Sequence, residues 1–173
     1  MSDLWELGEA YEQFMGRWSR PIAQEFLRWL GAIENGRWLD VGCGTGALSA
    51  LIGQSTQPLQ VTGVDFAAGF IGYAKNMHPD PIYDFRVGSA LDLPVDESQY
   101  DGVVSGLALN FFPEPHTAVA QMHRAAKPGG TVALYVWDYA GEMQMLRYFW
   151  DAAKALDPQA MALDEGQRFP LCQ

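Results

Sequence analysis

The chain is short of cysteine, of basic residues and of long apolar runs, and each shortage excludes a class of protein. Its two cysteines, Cys43 and Cys172, cannot build a disulfide framework, and no CxxC pair or Cys/His cluster offers a zinc site, so no metal is expected. No apolar run approaches the roughly 18 residues that read as a membrane span. The opening MSDLWELGEA has neither the basic nor the apolar segment of a signal peptide, so a cytoplasmic location is the default expectation. Only 11 Lys and Arg stand against 21 Asp and Glu, a net charge of -10. A phosphate-backbone binder or an anionic-membrane binder needs a basic surface, so neither nucleic acid nor a membrane is expected as partner. Charged residues total 18%, below the usual share of about a quarter. Core material is plentiful: 49% of the 173 residues are apolar, with six Trp, seven Tyr and nine Phe, enough for one packed domain and against disorder.

Hydrophobic patterning predicts alternating helices and strands. Ser19 is expected to cap a helix that carries Pro21 in its first turn and stops at Gly31. Strands are expected at 37–41, 60–65, 82–87, 100–105 and 131–137. Helices are expected at 47–52, 67–76, 114–126 and 142–156, and a turn at Lys127-Pro128-Gly129-Gly130. Strands that are apolar almost throughout and alternate with helices indicate an α/β fold, a doubly wound, mostly parallel sheet covered on both faces. Three regions are expected: a helical cap at 1–35, a ligand-binding domain at 36–157 and a tail at 158–173. Ligands of such sheets bind beyond the carboxyl ends of the strands, where strand order reverses.

The unusual residues fall at those strand ends. Gly42-x-Gly44-x-Gly46 follows the first strand and opens a helix, a loop that lets a ligand approach the backbone. Taken as Gly42, Gly44 and Ala47 it also satisfies the dinucleotide pattern, so the loop alone is ambiguous. Three acids separate the readings. Asp40 sits in the mouth of the loop, where a carboxylate would repel a pyrophosphate and suit a cation. Asp65 ends the second strand, the position from which an acid bonds ribose hydroxyls. Asp92 follows the third strand, where it could accept from an adenine amine. S-adenosylmethionine, an adenosine with a cationic aminoacyl chain and no phosphate, wants all three.

The segment Leu39-Asp40-Val41-Gly42-Cys43-Gly44-Thr45-Gly46 resembles the first motif of the class I S-adenosylmethionine-dependent methyltransferases. Gly63-Val64-Asp65, Ala90-Leu91-Asp92-Leu93-Pro94, Tyr100–Ser105 and Lys127–Thr131 resemble four later motifs, in family order across about residues 36 to 138. The likeness is greatest to the small-molecule branch that includes quinone-biosynthesis enzymes. It implies S-adenosylmethionine as cofactor, a Rossmann-like fold and methyl transfer to an O, N or C nucleophile of a small molecule. By the same resemblance Asp40 faces the methionyl end, and the Gly42, Cys43, Gly44 and Gly46 backbone cradles the aminoacyl and ribose portions. Asp65 holds the ribose, Phe66 packs on the adenine beside Ala90 and Leu91, and Asp92 reads its amine. Gly106 and Leu107 line the methyl-donor pocket. The stretch Tyr11–Trp18 resembles the family's N-terminal cap, with Tyr11 and Arg17 as candidate cofactor contacts.

No catalytic base is legible; Asn110 and His116, after the fourth strand, are the candidates. Asp138 either serves the site or caps the last helix. Neither an Asn/Asp-Pro-Pro-aromatic motif nor a Pro-Cys motif is present, which argues against nucleic-acid substrates. Two other readings stay open at this point: an NAD-dependent oxidoreductase, which leaves Asp40 and Asp92 unexplained, and a cofactor-binding module without catalysis. The family's terminal strand hairpin is not in the sequence, so the fold is expected to be truncated after the fifth strand and its helix. The uncharged strand 131–137 would then be an open edge, covered by the tail or by a second copy in a homodimer.

Overall fold

Trp38 and Leu39 are neighbours in sequence, both fully buried, and belong to different cores. Successive side chains of a strand point to opposite faces, so such a pair is a strand covered on both sides. In the computed structural model, which describes residues 16–31 and 33–172, this strand is β1 (Arg37–Val41). It lies inside a five-stranded sheet with β2 (Gln60–Asp65), β3 (Tyr83–Val87), β4 (Tyr100–Gly106) and β5 (Ala126–Tyr135), in the order β3-β2-β1-β4-β5. Every pairing is parallel. Strand order reverses between β1 and β4, which places the expected ligand site at their carboxyl ends.

The helices are α1 (Arg17–Leu30), α2 (Ala47–Thr56), α3 (Ala68–Met77), α4 (Pro115–Ala125), α5 (Gln144–Leu156) and α6 (Glu165–Arg168), with 3-10 turns at Leu109–Phe111 and Pro158–Leu163. On one face Trp38, Val61 and Val104 pack with Ala23, Phe26 and Leu27 of α1 and Leu48 and Ile52 of α2. On the other, Leu39, Val41, Val64 and Val103 pack with Met122 and Ala125 of α4. Each such aliphatic side chain contributes about 1.5–3 kcal/mol by burial. Gly102 is the register partner of Trp38, and a Cβ there would stand 2.6 Å from the indole ring. The bare strand position makes room for the largest core side chain.

The α/β class and the first four strand positions match the sequence expectation to within a residue, and four local readings are corrected. Ser19 does not cap α1: the helix starts at Arg17, and the Ser19 hydroxyl donates back to the Gly16 carbonyl at 3.2 Å. Pro21 therefore lies inside the helix, whereas Gly31, at φ +82°, ends it as expected. Helix α2 runs past Gly53 to Thr56, and Gly53 is bare because Tyr83 of β3 fills the space a side chain would take: a Cβ would be 2.0 Å from its hydroxyl oxygen. Lys127–Gly130 bulge out within β5, since Tyr100 pairs with Ala126 and Gly102 next pairs with Thr131. Lys127 Nζ holds this bulge by donating to both carboxylate oxygens of Asp101, at 2.8 and 2.9 Å. Finally, β5 ends at Tyr135, not Trp137.

By packing, the chain forms two compact units, divided between Tyr135 and Val136. The first holds the sheet. In the second, Arg147 Nη1 of α5 donates to Asp164 Oδ2 at 2.9 Å, and Trp150 Nε1 donates to Glu165 Oε2 at 2.6 Å. Asp138 accepts from the Gly141 and Glu142 amides, each at 2.8 Å, and so closes the turn ahead of α5; it does not cap that helix, whose N-cap position is Met143. No helix among the described residues is long and apolar enough to cross a membrane.

Candidate functional site

Strand β1 delivers Asp40 and Val41 into the glycine loop at the switch point. The loop is anchored to β2: the Gly42 and Cys43 amides both donate to the Val64 carbonyl, at 2.8 and 3.1 Å. Gly42, Gly44 and Gly46 all have positive φ. Gly42 and Gly44 nevertheless do different work. A Cβ on Gly42 would stand 2.5 Å from Ala108 Cβ and 3.1 Å from the Phe112 ring, whereas one on Gly44 would meet only Phe70, at 4.0 Å. Gly42 makes room for protein, and Gly44 faces open space. That space is a cavity of about 490 Å³ lined by both glycines, Asp65, Phe66, Phe70, Gly88–Leu91, Gly106–Ala108 and Phe111–Pro113. A smaller cavity of about 50 Å³ shares Gly42, Gly44, Gly106 and Leu107 and reaches Asp40, Ser19 and Tyr135. Their volumes suit an organic cofactor in the larger and a polar chain end in the smaller.

Both carboxylates at this mouth are buried. Asp65 is 8% exposed; its Oδ2 accepts from the Gly44 amide and its Oδ1 from the Ala67 amide, each at 2.9 Å. Burial raises its pKa, and these amide bonds oppose the rise. A carboxylate has about four lone-pair positions, so each oxygen can take one more donor. Asp40 is 1% exposed. Its Oδ2 accepts from the Ser49 hydroxyl at 2.7 Å, and its Oδ1 has no partner among the described residues. Burial above all pushes its pKa up to about 7; the Ser49 bond opposes this and the Asp65 charge adds to it. An unpartnered buried carboxylate oxygen is costly unless a donor, best a cationic one, meets it. The donor set therefore fits S-adenosylmethionine: Asp40 for an ammonium, Asp65 for vicinal hydroxyls, and a bare Gly44 between them.

The structure brings together most of the expected site residues and leaves some out. Gly42, Gly44, Asp65, Phe66, Ala90, Leu91, Gly106 and Leu107 line the larger cavity, and Asp40 and Cys43 the smaller. Leu107 has φ +59°, a conformation costly for a branched side chain, and is fixed by its amide donating to the Tyr135 carbonyl at 2.8 Å. Gly46 caps α2 and lines neither cavity. Asp92 is exposed and outside the lining; the chain turns back through a Ser89–Asp92 bridge, so Ser89 lines the cavity in its place. Arg17 is exposed at the start of α1 with its guanidinium over Trp18, and Ser19 is the α1 residue that lines the smaller cavity. His116 is exposed on the first turn of α4 and outside the lining. Asn110 lies between lining residues, with both side-chain amide atoms buried and unpartnered. Tyr11 lies outside the described residues.

Sequence reasoning missed Ser49, Phe70 and the Phe111–Pro113 rim. Ser49 follows Asp40 by nine residues and falls on the sheet-facing side of α2, the one signal that could have found it. No group of His, Cys, Asp and Glu suited to a metal occurs among the described residues.

Comparisons with known proteins place this geometry. Residues 39–134, more than half of the chain, match the methyltransferase domain family. The demethylmenaquinone methyltransferase of Renibacterium salmoninarum is 34% identical over 118 residues, covering 68% of this chain and 46% of that protein. The chain spans about half the length of the curated relatives it matches. Among solved structures, the complex between the Haloferax volcanii activator Trm112 and its candidate methyltransferase superposes with a TM-score of 0.76 at 22% identity, covering 88% of this chain and 68% of that one. The [4+2]-cyclase SpnF superposes at 0.59 with 26% identity, covering 73% and 47%. None of these relatives is an oxidoreductase. Strand order, glycine loop, paired acids and sequence similarity agree: the chain belongs to the methyltransferase domain family of class I fold, whose cofactor is S-adenosylmethionine.

Proposed function

We propose that the protein moves the methyl group of S-adenosylmethionine to a nucleophilic O, N or C atom of an uncharged, largely apolar small molecule. The single observation that carries this reading is the unpartnered Oδ1 of Asp40, buried where a glycine loop laced to Asp65 opens. Bound there, the cofactor supplies an activated methyl on a sulfonium leaving group. Asp40 and Asp65 fix its two ends, and Gly106 and Leu107, common to both cavities, stand where the ends meet. Phe66, Phe111 and Phe112 supply an apolar wall that excludes water, so alignment and a dry pocket are the chain's main contribution. The quinone-type acceptor named for the Renibacterium relative has the flat, apolar chemistry this wall would take.

Calorimetry with S-adenosylhomocysteine and with NAD tests the reading. The homocysteine compound is expected to bind, and NAD is not, because two carboxylates and no basic side chain line the described cavities. Asp65→Ala should abolish binding, since it removes the acceptor of two ribose donors, each on the order of 1.5–3 kcal/mol. It also frees the Gly44 and Ala67 amides. Micromolar NAD binding with no response to the homocysteine compound would overturn the assignment.

We also propose that two copies associate through β5. It is the last strand in the sheet order, and its outer edge pairs with no strand among the described residues. The run Thr131–Tyr135 carries no charge, proline or glycine to blunt that edge. Light scattering should report a dimer; a concentration-independent monomer with fast amide exchange along 131–135 is the contrary result.

A further inference from the structure

The carboxylate of Asp40 is held from one side only. Ser49 of α2 donates its hydroxyl to Oδ2 at 2.7 Å and is itself fully buried, while Oδ1 has no partner among the described residues and Asp40 lines the small cavity. We propose that Ser49 is the positioning residue of the cofactor site: it fixes Asp40 so that Oδ1 meets the ligand's ammonium, and the pair gives up a proton to solvent as that ammonium enters. The inference rests on the function proposed above and adds a residue and a proton to it.

The physical case is electrostatic. Burial above all disfavours the Asp40 charge in the free protein, and Asp65 of β2 adds to this as a second carboxylate, while the Cys43 thiol of the loop, kept neutral by its own burial, brings no charge to the site. From α1 and β5 the small cavity receives only the Ser19 and Tyr135 side chains, and no Lys, Arg or His of the described residues lines it. Among the described residues Ser49 supplies the one side-chain hydrogen bond to the ionised form, and its backbone favours that form as well. With half-protonation near pH 7, the free site at neutral pH is a mixture of carboxyl and carboxylate. An ammonium donates to the carboxylate and is repelled by no cation there, so it selects the ionised form. The carboxyl O–H bond breaks, its proton goes to water, and the ammonium keeps its own.

Titration calorimetry of the full chain with S-adenosylhomocysteine, at pH 5.5 to 8 in buffers of different ionisation enthalpy, reads this directly. Affinity should rise about tenfold per pH unit below 7 and level off above it, with about 0.9 proton released per ligand at pH 6. Ser49→Ala removes the bond that favours the carboxylate, so the midpoint should move upward and affinity at pH 7 fall several-fold, with less loss at pH 8. Ser49→Thr, which keeps the hydroxyl, should restore the wild-type profile. A merely structural role for Ser49 would lower affinity equally at every pH. Binding with a flat profile and no proton release overturns this inference and leaves the proposed function standing. Absence of binding at every pH overturns both.

Discussion

Asp40→Asn is expected to make the free protein more stable at pH 8 while largely abolishing cofactor binding. Asp40 is buried, and its carboxyl holds its proton to about pH 7 in the folded chain. In the unfolded chain the same group loses its proton near pH 4. Between those values the folded state carries a proton the unfolded state lacks. Stability attributable to this group therefore falls as pH rises from about 4 to about 7, and stays at its lowest above that. A shift of this size corresponds to about 4 kcal/mol at most. The amide is neutral at every pH and escapes that cost, although its own NH2 must find a partner. A net gain of roughly 2 kcal/mol at pH 8 is expected, shrinking toward zero near pH 4. Binding moves the other way, because removing one partner of a buried charge pair costs about 2–5 kcal/mol. The loss in affinity should reach about 100-fold. Urea melts at pH 5 and 8, with calorimetry at pH 8, check both halves; a variant less stable than wild type at pH 8, or binding as tightly, contradicts the account.

The same residue shows how far the sequence could be read. Asp40, Asp65 and the glycines were legible because their chemistry is local: a strand ends, the chain turns, and acids flank the turn. The parallel sheet was legible because its strands are apolar on both faces, as Trp38 and Leu39 illustrate. What escaped depends on where distant segments meet. The helix expected over 47–52 runs on through Gly53, whose missing side chain leaves the space that Tyr83 occupies. Ser49 reads as an ordinary helix serine until α2 is laid over β1. Asp92 has the residue type and motif position expected of an adenine contact, yet the Ser89–Asp92 bridge turns it outward. Arg17 is a candidate because it belongs to the cap-like stretch Tyr11–Trp18, yet the helix that begins there presents Ser19 to the cavity.

The two leading glycines should separate folding from binding. Gly42→Ala and Gly44→Ala add the same methyl group two residues apart, both at positive φ. Each backbone conformation costs an alanine about 1–2 kcal/mol. At Gly44 that is nearly the whole cost to the fold, since the new methyl meets nothing nearer than Phe70 at 4.0 Å. The methyl projects into the cavity where the cofactor backbone should pass, so binding should fall at least tenfold while the protein stays folded; the larger Gly44→Val should remove binding altogether. At Gly42 the methyl would stand 2.5 Å from Ala108 Cβ, a distance no folded structure tolerates, so the β4 exit segment carrying Leu107 and Ala108 must shift. Overpacking of this kind adds about 1–3 kcal/mol. The total, about 2–5 kcal/mol, is a large part of the 5–15 kcal/mol that holds a domain together. Gly42→Ala should therefore lower the melting temperature by many degrees and lose binding as a consequence of the displaced wall. Thermal melts of the two variants, with and without S-adenosylhomocysteine, distinguish the cases. Gly44→Ala should melt within a few degrees of wild type and gain little from ligand; Gly42→Ala should melt far lower under both conditions. If the two variants melt alike, Ala108 is not held against the glycine loop, and the cavity wall described for β4 is misplaced.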